Sequence, residues 1–322
     1  MFPPKESLTI CFAHSAYRMK ERFDLRGTGV KNFQVHAYDE FQKRVGEADV
    51  VVVSGMWKND LIPQAGKLKF IQSISSGMDQ YSKEQLAAKS VRLASAAGVN
   101  ARAVAEHALA LMLAVARRLP EARDNQHGKV WRGMLGDLTQ REDEIGGKTV
   151  LIVGMGRIGS HLAKLAKAFD MKVIGIRRDP AQGENGADAI YGMGDLVDLV
   201  PQADFVVLTC ALTPETTGLM SRAAFAAMKP SSVFVNVARG KVADEAALVE
   251  TMQQGRIWAA ALDVTAEEPL PAGSPLWTMP NVFITPHTAG ETRAYEDNVI
   301  DILLENLDRL WRGEKTLRNQ VI

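Results

Sequence analysis

One stretch constrains this chain more than any other: KTVLIVGMGRIGSHLAKLA, residues 148–166. A short apolar run of strand character leads into Gly154-x-Gly156-x-x-Gly159, and an amphipathic helical pattern follows at once. Glycines at this spacing mean little alone, but between a strand and a helix they describe a phosphate-binding turn. Gly154 permits the tight turn, Gly156 lets the backbone approach a pyrophosphate, and Gly159 lets helix and strand pack closely. Unpaired N–H groups at the helix start, with the positive end of its dipole, then face the anion. The expected binding residues run through Gly154, Met155, Gly156, Arg157, Ile158 and Gly159.

The rest of the chain supplies a sheet for that turn. Short apolar runs alternate with helical patterns, the signature of parallel strands wound with helices. A first set, at 8–13, 32–37, 49–54, 70–75 and 91–96, builds one α/β unit. After Gly98-Val99-Asn100 a long helix, ARAVAEHALALMLAVARRL, stops before Pro120 and leads into a second unit. Six runs follow there, at 148–154, 172–176, 205–209, 232–238, 259–264 and 282–286. The tail from Glu291 reads as an amphipathic helix that returns to the first unit, because the second sheet is by then complete. The expectation is α/β: two doubly wound parallel-sheet domains, a Rossmann cofactor domain (101–289) inserted in a flavodoxin-like substrate domain (1–100 plus 290–322). No internal repeat or low-complexity segment stands out. At 322 residues the chain exceeds the size of one ordinary core, which also favours two domains sharing a cleft.

Composition narrows the partners. Lysine plus arginine number 38 and aspartate plus glutamate 38, so no net positive field attracts nucleic acid or anionic membrane. No stretch reaches the roughly 18 apolar residues of a membrane span, and the start lacks a leader pattern, so the expected compartment is the cytoplasm. Cys11 and Cys210 both sit in strand-like runs, as reduced core cysteines do. His14, His36, His107, His127 and His161 show no metal spacing and read as structural or surface residues; no metal is required.

An acid that grips an adenosine ribose 2′-hydroxyl is expected about twenty residues after the glycine turn, at the end of the next strand. Here KVIGI ends in Arg177-Arg178. Guanidinium pairs with a 2′-phosphate bidentately where a carboxylate would repel it, so the expected cofactor is NADP(H), with NAD(H) as the alternative through Asp179 or a displaced loop.

Three ionisable residues follow later strands of the same sheet: Arg239 after SVFVNVA, Glu268 after AAALDV and His287 after VFITP. Carboxyl ends of parallel strands line one crevice, so residues distant in sequence converge there. The segments NARAVAEHALALMLAVAR, GKTVLIVGMGRIG, LTPETTGLM, VNVARGKVADEAAL, AALDVTAEEPLP and NVFITPHTAG, taken in order, resemble the D-isomer-specific 2-hydroxyacid dehydrogenase family, glyoxylate/hydroxypyruvate reductases among them. The resemblance covers essentially the whole chain. It implies an NAD(P)-dependent oxidoreductase in which Arg239 clamps the carboxylate and carbonyl of a small 2-oxo acid. By the same resemblance His287 is the general acid and Glu268, rather than Glu267, orients it, because the family's acid directly precedes a proline. Arginine's planar fork suits a 2-oxo carboxylate, and histidine can exchange a proton with the carbonyl oxygen.

The resemblance further implies that Asp263 accepts a hydrogen bond from the nicotinamide carboxamide, that Cys210 and Val237 border the cofactor, and that backbone N–H groups at Ser76 and Gly77 hold the substrate carboxylate. Met56, Trp57, Met78 and Tyr81 are candidates for an apolar pocket nearby. A homodimer through the cofactor domains is implied too, with Trp131 and Met134 in the candidate interface. Two motifs depart from the family pattern: Cys210-Ala211 replaces a small residue or histidine followed by proline, and TPHTAG replaces the commoner His-Ile-Gly ending. The alternatives are a phosphite dehydrogenase, which shares the Arg, Glu and His set, and a nucleotide-sensing corepressor-like binding protein.

Overall fold

The computed structural model describes residues 2–322, in which the chain forms two compact units. Residues up to Asn100 join Thr292–Ile322 in the smaller one, and Ala101–Glu291 make the larger.

In the smaller unit β1 (Thr9–Ala13), β2 (Lys31–Val35), β3 (Val50–Val53), β4 (Phe70–Ser73) and β5 (Arg92–Ala94) form a parallel sheet of order β2-β1-β3-β4-β5. That is the flavodoxin-like order. In the larger unit β6 (Thr149–Val153), β7 (Lys172–Ile176), β8 (Ala189–Tyr191), β9 (Phe205–Leu208), β10 (Val233–Asn236), β11 (Ala259–Leu262) and β12 (Val282–Ile284) are all parallel, in the order β12-β11-β10-β9-β6-β7-β8. The winding reverses between β6 and β9, where a doubly wound sheet opens its crevice.

Seven strands stand where the apolar runs indicated six. The addition, β8, is a three-residue edge strand whose side chains are half or fully exposed, so it carries no apolar run to announce it. The central strands β3, β6 and β9 are fully or almost fully apolar because both sheet faces are covered. Val150 and Ile152 enter one core of the larger unit while their neighbours Leu151 and Val153 enter the other. In the smaller unit Ile10 and Phe12 face one core, Cys11 and Ala13 the opposite one.

A recurrent device starts the strands. The backbone N–H groups of Thr9, Thr149 and Val173 donate to the carboxylates of Asp49, Asp204 and Asp188 at 2.8–2.9 Å. Each aspartate follows an alanine and immediately precedes a neighbouring strand, so Ala-Asp caps the first N–H of β1 and β6 and the second of β7. The helix Ala101–Ala116 ends four residues before Pro120; Arg118 turns left-handed (φ 50°) and a second helix, Leu119–His127, takes the proline into its first turn, where no N–H is needed.

The final helix, Tyr295–Trp311, belongs to the smaller unit, where Val299, Ile300, Leu303 and Leu307 enter the core with Ile10 and Phe12. Beyond it the chain pairs with the free edge of β5: Leu93 N–H donates to Ile322 O and Val321 N–H to Leu93 O. That covers an edge otherwise open to association. A buried amide pair fastens this arrangement, Asn306 Nδ2 donating to Gln72 Oε1 (2.9 Å) while Asn306 Oδ1 accepts from Arg318 N–H (2.7 Å). Asn306→Ala would leave the buried Gln72 Oε1 and the part-buried Arg318 N–H without these partners. At about 1–3 kcal/mol for each stranded group, urea denaturation should show a loss of about 2–4 kcal/mol; an unchanged midpoint would contradict this account of the tether.

Candidate active site

The glycine turn follows β6, at the reversal of the strand order. Gly154 has φ +114°, and a Cβ there would lie 2.5 Å from the backbone nitrogen of Cys210, so neither conformation nor space admits a side chain. A Cβ on Gly159 would meet Gly154 O at 2.3 Å, which is how closely the helix Arg157–Ala168 sits on the turn. Nothing lies within 4 Å of a Cβ on Gly156, whose backbone lines an open cavity of about 720 Å³ with Arg177, Arg178, Asp179 and Cys210. Bare backbone at a helix start, beside a cavity of this size, fits a dinucleotide. Among the other turn residues, Arg157 opens the helix, Ile158 packs half-buried on the core and the Met155 side chain is buried, filling the space left by Gly175.

Both arginines at the end of β7 border the cavity. Arg177 donates to Gly183 O at 3.1 Å and to the Gln182 side chain, while Arg178 is among the charges that hold Glu215 below the usual carboxylate range, behind the hydrogen bond from Thr213. Asp179 Oδ1 accepts from Ala181 N–H and Oδ2 from Gln182 Nε2, so its carboxylate caps its own turn. Burial pushes the Cys210 thiol up to about 11, which keeps it protonated at neutral pH. Val237 is buried where β10 ends.

The ionisable residues stand after β10, β11 and β12. Arg239 is exposed; its guanidinium donates to Ala238 O (2.7 Å) and makes no ion pair among the described residues. The turn that presents it is fixed by Asn236, a buried amide that accepts from Ala238 N–H and donates to Arg239 O. The following glycine is compulsory: a Cβ on Gly240 would lie 1.9 Å from the carbonyl carbon of Thr265. The turn after β10 thus rests directly on the loop that carries the glutamates.

Of the two glutamates, Glu268 reaches the histidine, its Oε2 lying 2.6 Å from His287 Nδ1. Its other oxygen accepts from Thr265 N–H, and Glu245 braces the same loop by accepting from Ala266 N–H. Because a carboxylate only accepts, His287 Nδ1 carries a hydrogen and the remaining nitrogen, Nε2, is the one available for chemistry. His287 itself adopts φ +56°, rare for a side chain of this size, with its N–H donated to Asp263 O at 2.8 Å.

Asp263, 2 % exposed, governs that conformation. Oδ1 accepts from the Thr285 hydroxyl (2.7 Å) and Thr288 N–H (3.0 Å), and Oδ2 from Ala289 N–H (3.0 Å). Asn236, Thr265 and Thr285 are supporting residues that no motif spacing singles out, since each acts through short contacts formed only on folding.

In the smaller unit, Ser76 and Gly77 follow β4, and their N–H groups have no partner among the described residues. Serines shape the loop: Ser75 Oγ donates to Gly77 O, Ser75 N–H donates to Ser73 Oγ, and Ser54 Oγ donates to Ser75 Oγ. Two of the apolar pocket candidates are core instead. Trp57 and Tyr81 are 2 % and 5 % exposed, their rings pack 5.9 Å apart, and Tyr81 donates its hydroxyl to Val53 O. Met56 and Met78 remain half-buried.

Residues 109–289 match the profile of the D-isomer specific 2-hydroxyacid dehydrogenase NAD binding domain. The chain is 36% identical over 295 residues to glyoxylate/hydroxypyruvate reductase B of Serratia proteamaculans, covering 88% of this chain and 90% of that one. It is 36% identical over 280 residues to D-3-phosphoglycerate dehydrogenase of Methanocaldococcus jannaschii, spanning 86% of its own length but about half (52%) of the relative's. Among solved structures, the Thermus thermophilus protein TT0316 superposes with a TM-score of 0.83 at 32% identity, over 98% of this chain and all (100%) of that one. The chain therefore belongs to the D-isomer specific 2-hydroxyacid dehydrogenases, oxidoreductases that use a nicotinamide cofactor on CH–OH donors.

Proposed function

We propose that this enzyme reversibly reduces a small 2-oxo acid, glyoxylate, hydroxypyruvate or a close analogue, with NADP(H) preferred to NAD(H). One observation carries the reading: the His287–Glu268 pair, with Nε2 unengaged among the described residues, sits at the same strand ends as the glycine turn that fits the dinucleotide. Several relatives named glyoxylate/hydroxypyruvate reductase B support the choice of acid.

When bound, the reduced nicotinamide supplies a hydride to the carbonyl carbon. Arg239, exposed and without a carboxylate partner among the described residues, offers its planar fork to the substrate carboxylate and carbonyl oxygen. His287 gives the carbonyl oxygen its proton from Nε2 and recovers it in the oxidation direction, while Glu268 fixes the ring by holding Nδ1. Three donors already engage the Asp263 carboxylate, which leaves room on Oδ2 for the carboxamide of the cofactor. For the smaller unit we propose that the N–H groups of Ser76 and Gly77 bind the substrate carboxylate.

The preference for NADP(H) is supported by Arg177 and Arg178 on the cavity wall and by Asp179, whose carboxylate is already committed to a cap. A cytoplasmic homodimer completes the reading. Trp131 and Met134 are 98% and 102% exposed, with Val130 and Leu138 exposed beside them, a cluster that a second copy would cover. No helix among the described residues is long and apolar enough to cross a membrane, and both cysteines are free.

Absorbance assays of purified protein with NADPH or NADH and a panel of 2-oxo acids should show reduction, whereas turnover of phosphite alone would replace this reading with the phosphite one. Removing the general acid in His287→Ala should lower kcat about 10²–10⁴-fold, and Arg239→Ala should chiefly weaken kcat/KM; turnover indifferent to both would leave only a nucleotide-binding role. Arg177→Asp should move the NADPH-to-NADH ratio of kcat/KM toward NADH by about tenfold or more, as expected for losing a charged phosphate contact; an unchanged ratio removes the arginine argument. Light scattering should give twice the chain mass, and W131E together with M134K should reduce it to one; a wild-type monomer would refute the dimer.

A further inference from the structure

β12 is the edge of its sheet, paired on one side only by β11, yet it delivers the segment that ends in His287. An edge strand has no second ladder neighbour to hold its far side. A side chain of the helix Ala101–Ala116 reaches the segment that follows it. His107, on that helix, places Nε2 3.0 Å from the Thr285 hydroxyl and 3.6 Å from Asp263 Oδ1.

The roles in this contact follow from the groups involved. A threonine hydroxyl has one hydrogen, and at 2.7 Å from Asp263 Oδ1 it donates that hydrogen to the carboxylate, which can only accept. Thr285 Oγ1 therefore accepts from the histidine, and Nε2 of His107 is the donor. A directed chain results, His107 to Thr285 to Asp263, and its last member also takes the N–H groups of Thr288 and Ala289. The residues on both sides of His287 are thus tied to one carboxylate, whose orientation is fixed from the helix.

We propose that His107 is a positioning residue for His287, acting through Thr285 and Asp263. The inference rests on His287 being the proton donor. Its effect falls on proton delivery, because the left-handed conformation of His287 aims Nε2 and exists only while the 285–289 segment is held. Binding of the pyrophosphate at the glycine turn, and of the substrate carboxylate at Arg239, involves none of these atoms; only the carboxamide proposed for Asp263 Oδ2 meets the end of the chain.

The test uses the full-length protein as H107F, which keeps a ring without the donor, H107Q, whose amide reaches Thr285, and H107N, whose amide is one methylene too short. H107F should lower kcat for the 2-oxo acid about tenfold, with KM for the acid within about twofold of wild type. H107Q should recover most of kcat and H107N should not; if H107F fails to fold, the Gln and Asn variants carry the comparison. Thr285→Val should cost as much as H107F, and the double variant no more than either alone, because both cut one chain. Carbon-labelled histidine NMR adds a readout independent of turnover: the His287 ring resonance should move in H107F and return in H107Q. A kcat within twofold of wild type in H107F, an unmoved His287 resonance, failure of H107Q to rescue, or additive losses in the double variant would each overturn the proposal. A wild type that reduces none of the acids would instead refute the proposed reaction, while the resonance still judged the link between the two histidines.

Discussion

Parallel strands hydrogen-bonded side by side end on one edge, and the chemistry of the larger unit depends on that edge. β6, β7, β9, β10, β11 and β12 each release the chain there, into the glycine turn, the arginine pair, Cys210, Arg239, the Asp263–Glu268 loop and His287 respectively. Antiparallel pairing of any one strand would send its terminal loop to the opposite edge. The ladder therefore selects which side chains can cooperate before any of them makes a contact.

Nearness along an edge becomes a site only where backbones can touch. Gly154 against Cys210 and Gly240 against Thr265 are two such places, and in both a single methyl group would occupy space already held by main chain. The second contact is the more consequential for the proposed reaction, since it seats the arginine turn on the glutamate loop. Neither glycine touches a reacting atom, yet each sets the separation of residues that would.

Side chains at the edge are then aimed by buried polar groups that are hydrogen-bonded to the loops around them. Asn236 closes the turn before Arg239, and Asp263 accepts three donors from the segment around His287. Buried amides and carboxylates are expensive to leave unpaired, so each holds its loop in the one conformation that satisfies it. The left-handed backbone at His287 is the cost of that arrangement, and the exposed His287–Glu268 pair its product.

The amino-acid sequence by itself determined the order of elements, the two-sheet architecture and the strand ends from which Arg239, Glu268 and His287 emerge, because apolar periodicity and glycine spacing are local properties that survive without a fold. Where the local signal is weak, at the half-exposed β8 and at the helix restart on Pro120, it indicated too few elements. Tertiary structure alone decided what depends on contact: that Trp57 and Tyr81 are core rather than pocket, that Nε2 is the open nitrogen of His287, and that His107, one histidine among six in the sequence, reaches Thr285. These were illegible because a hydrogen bond between residues 178 positions apart leaves no spacing to read; it exists only once the helix and the edge strand have been packed together.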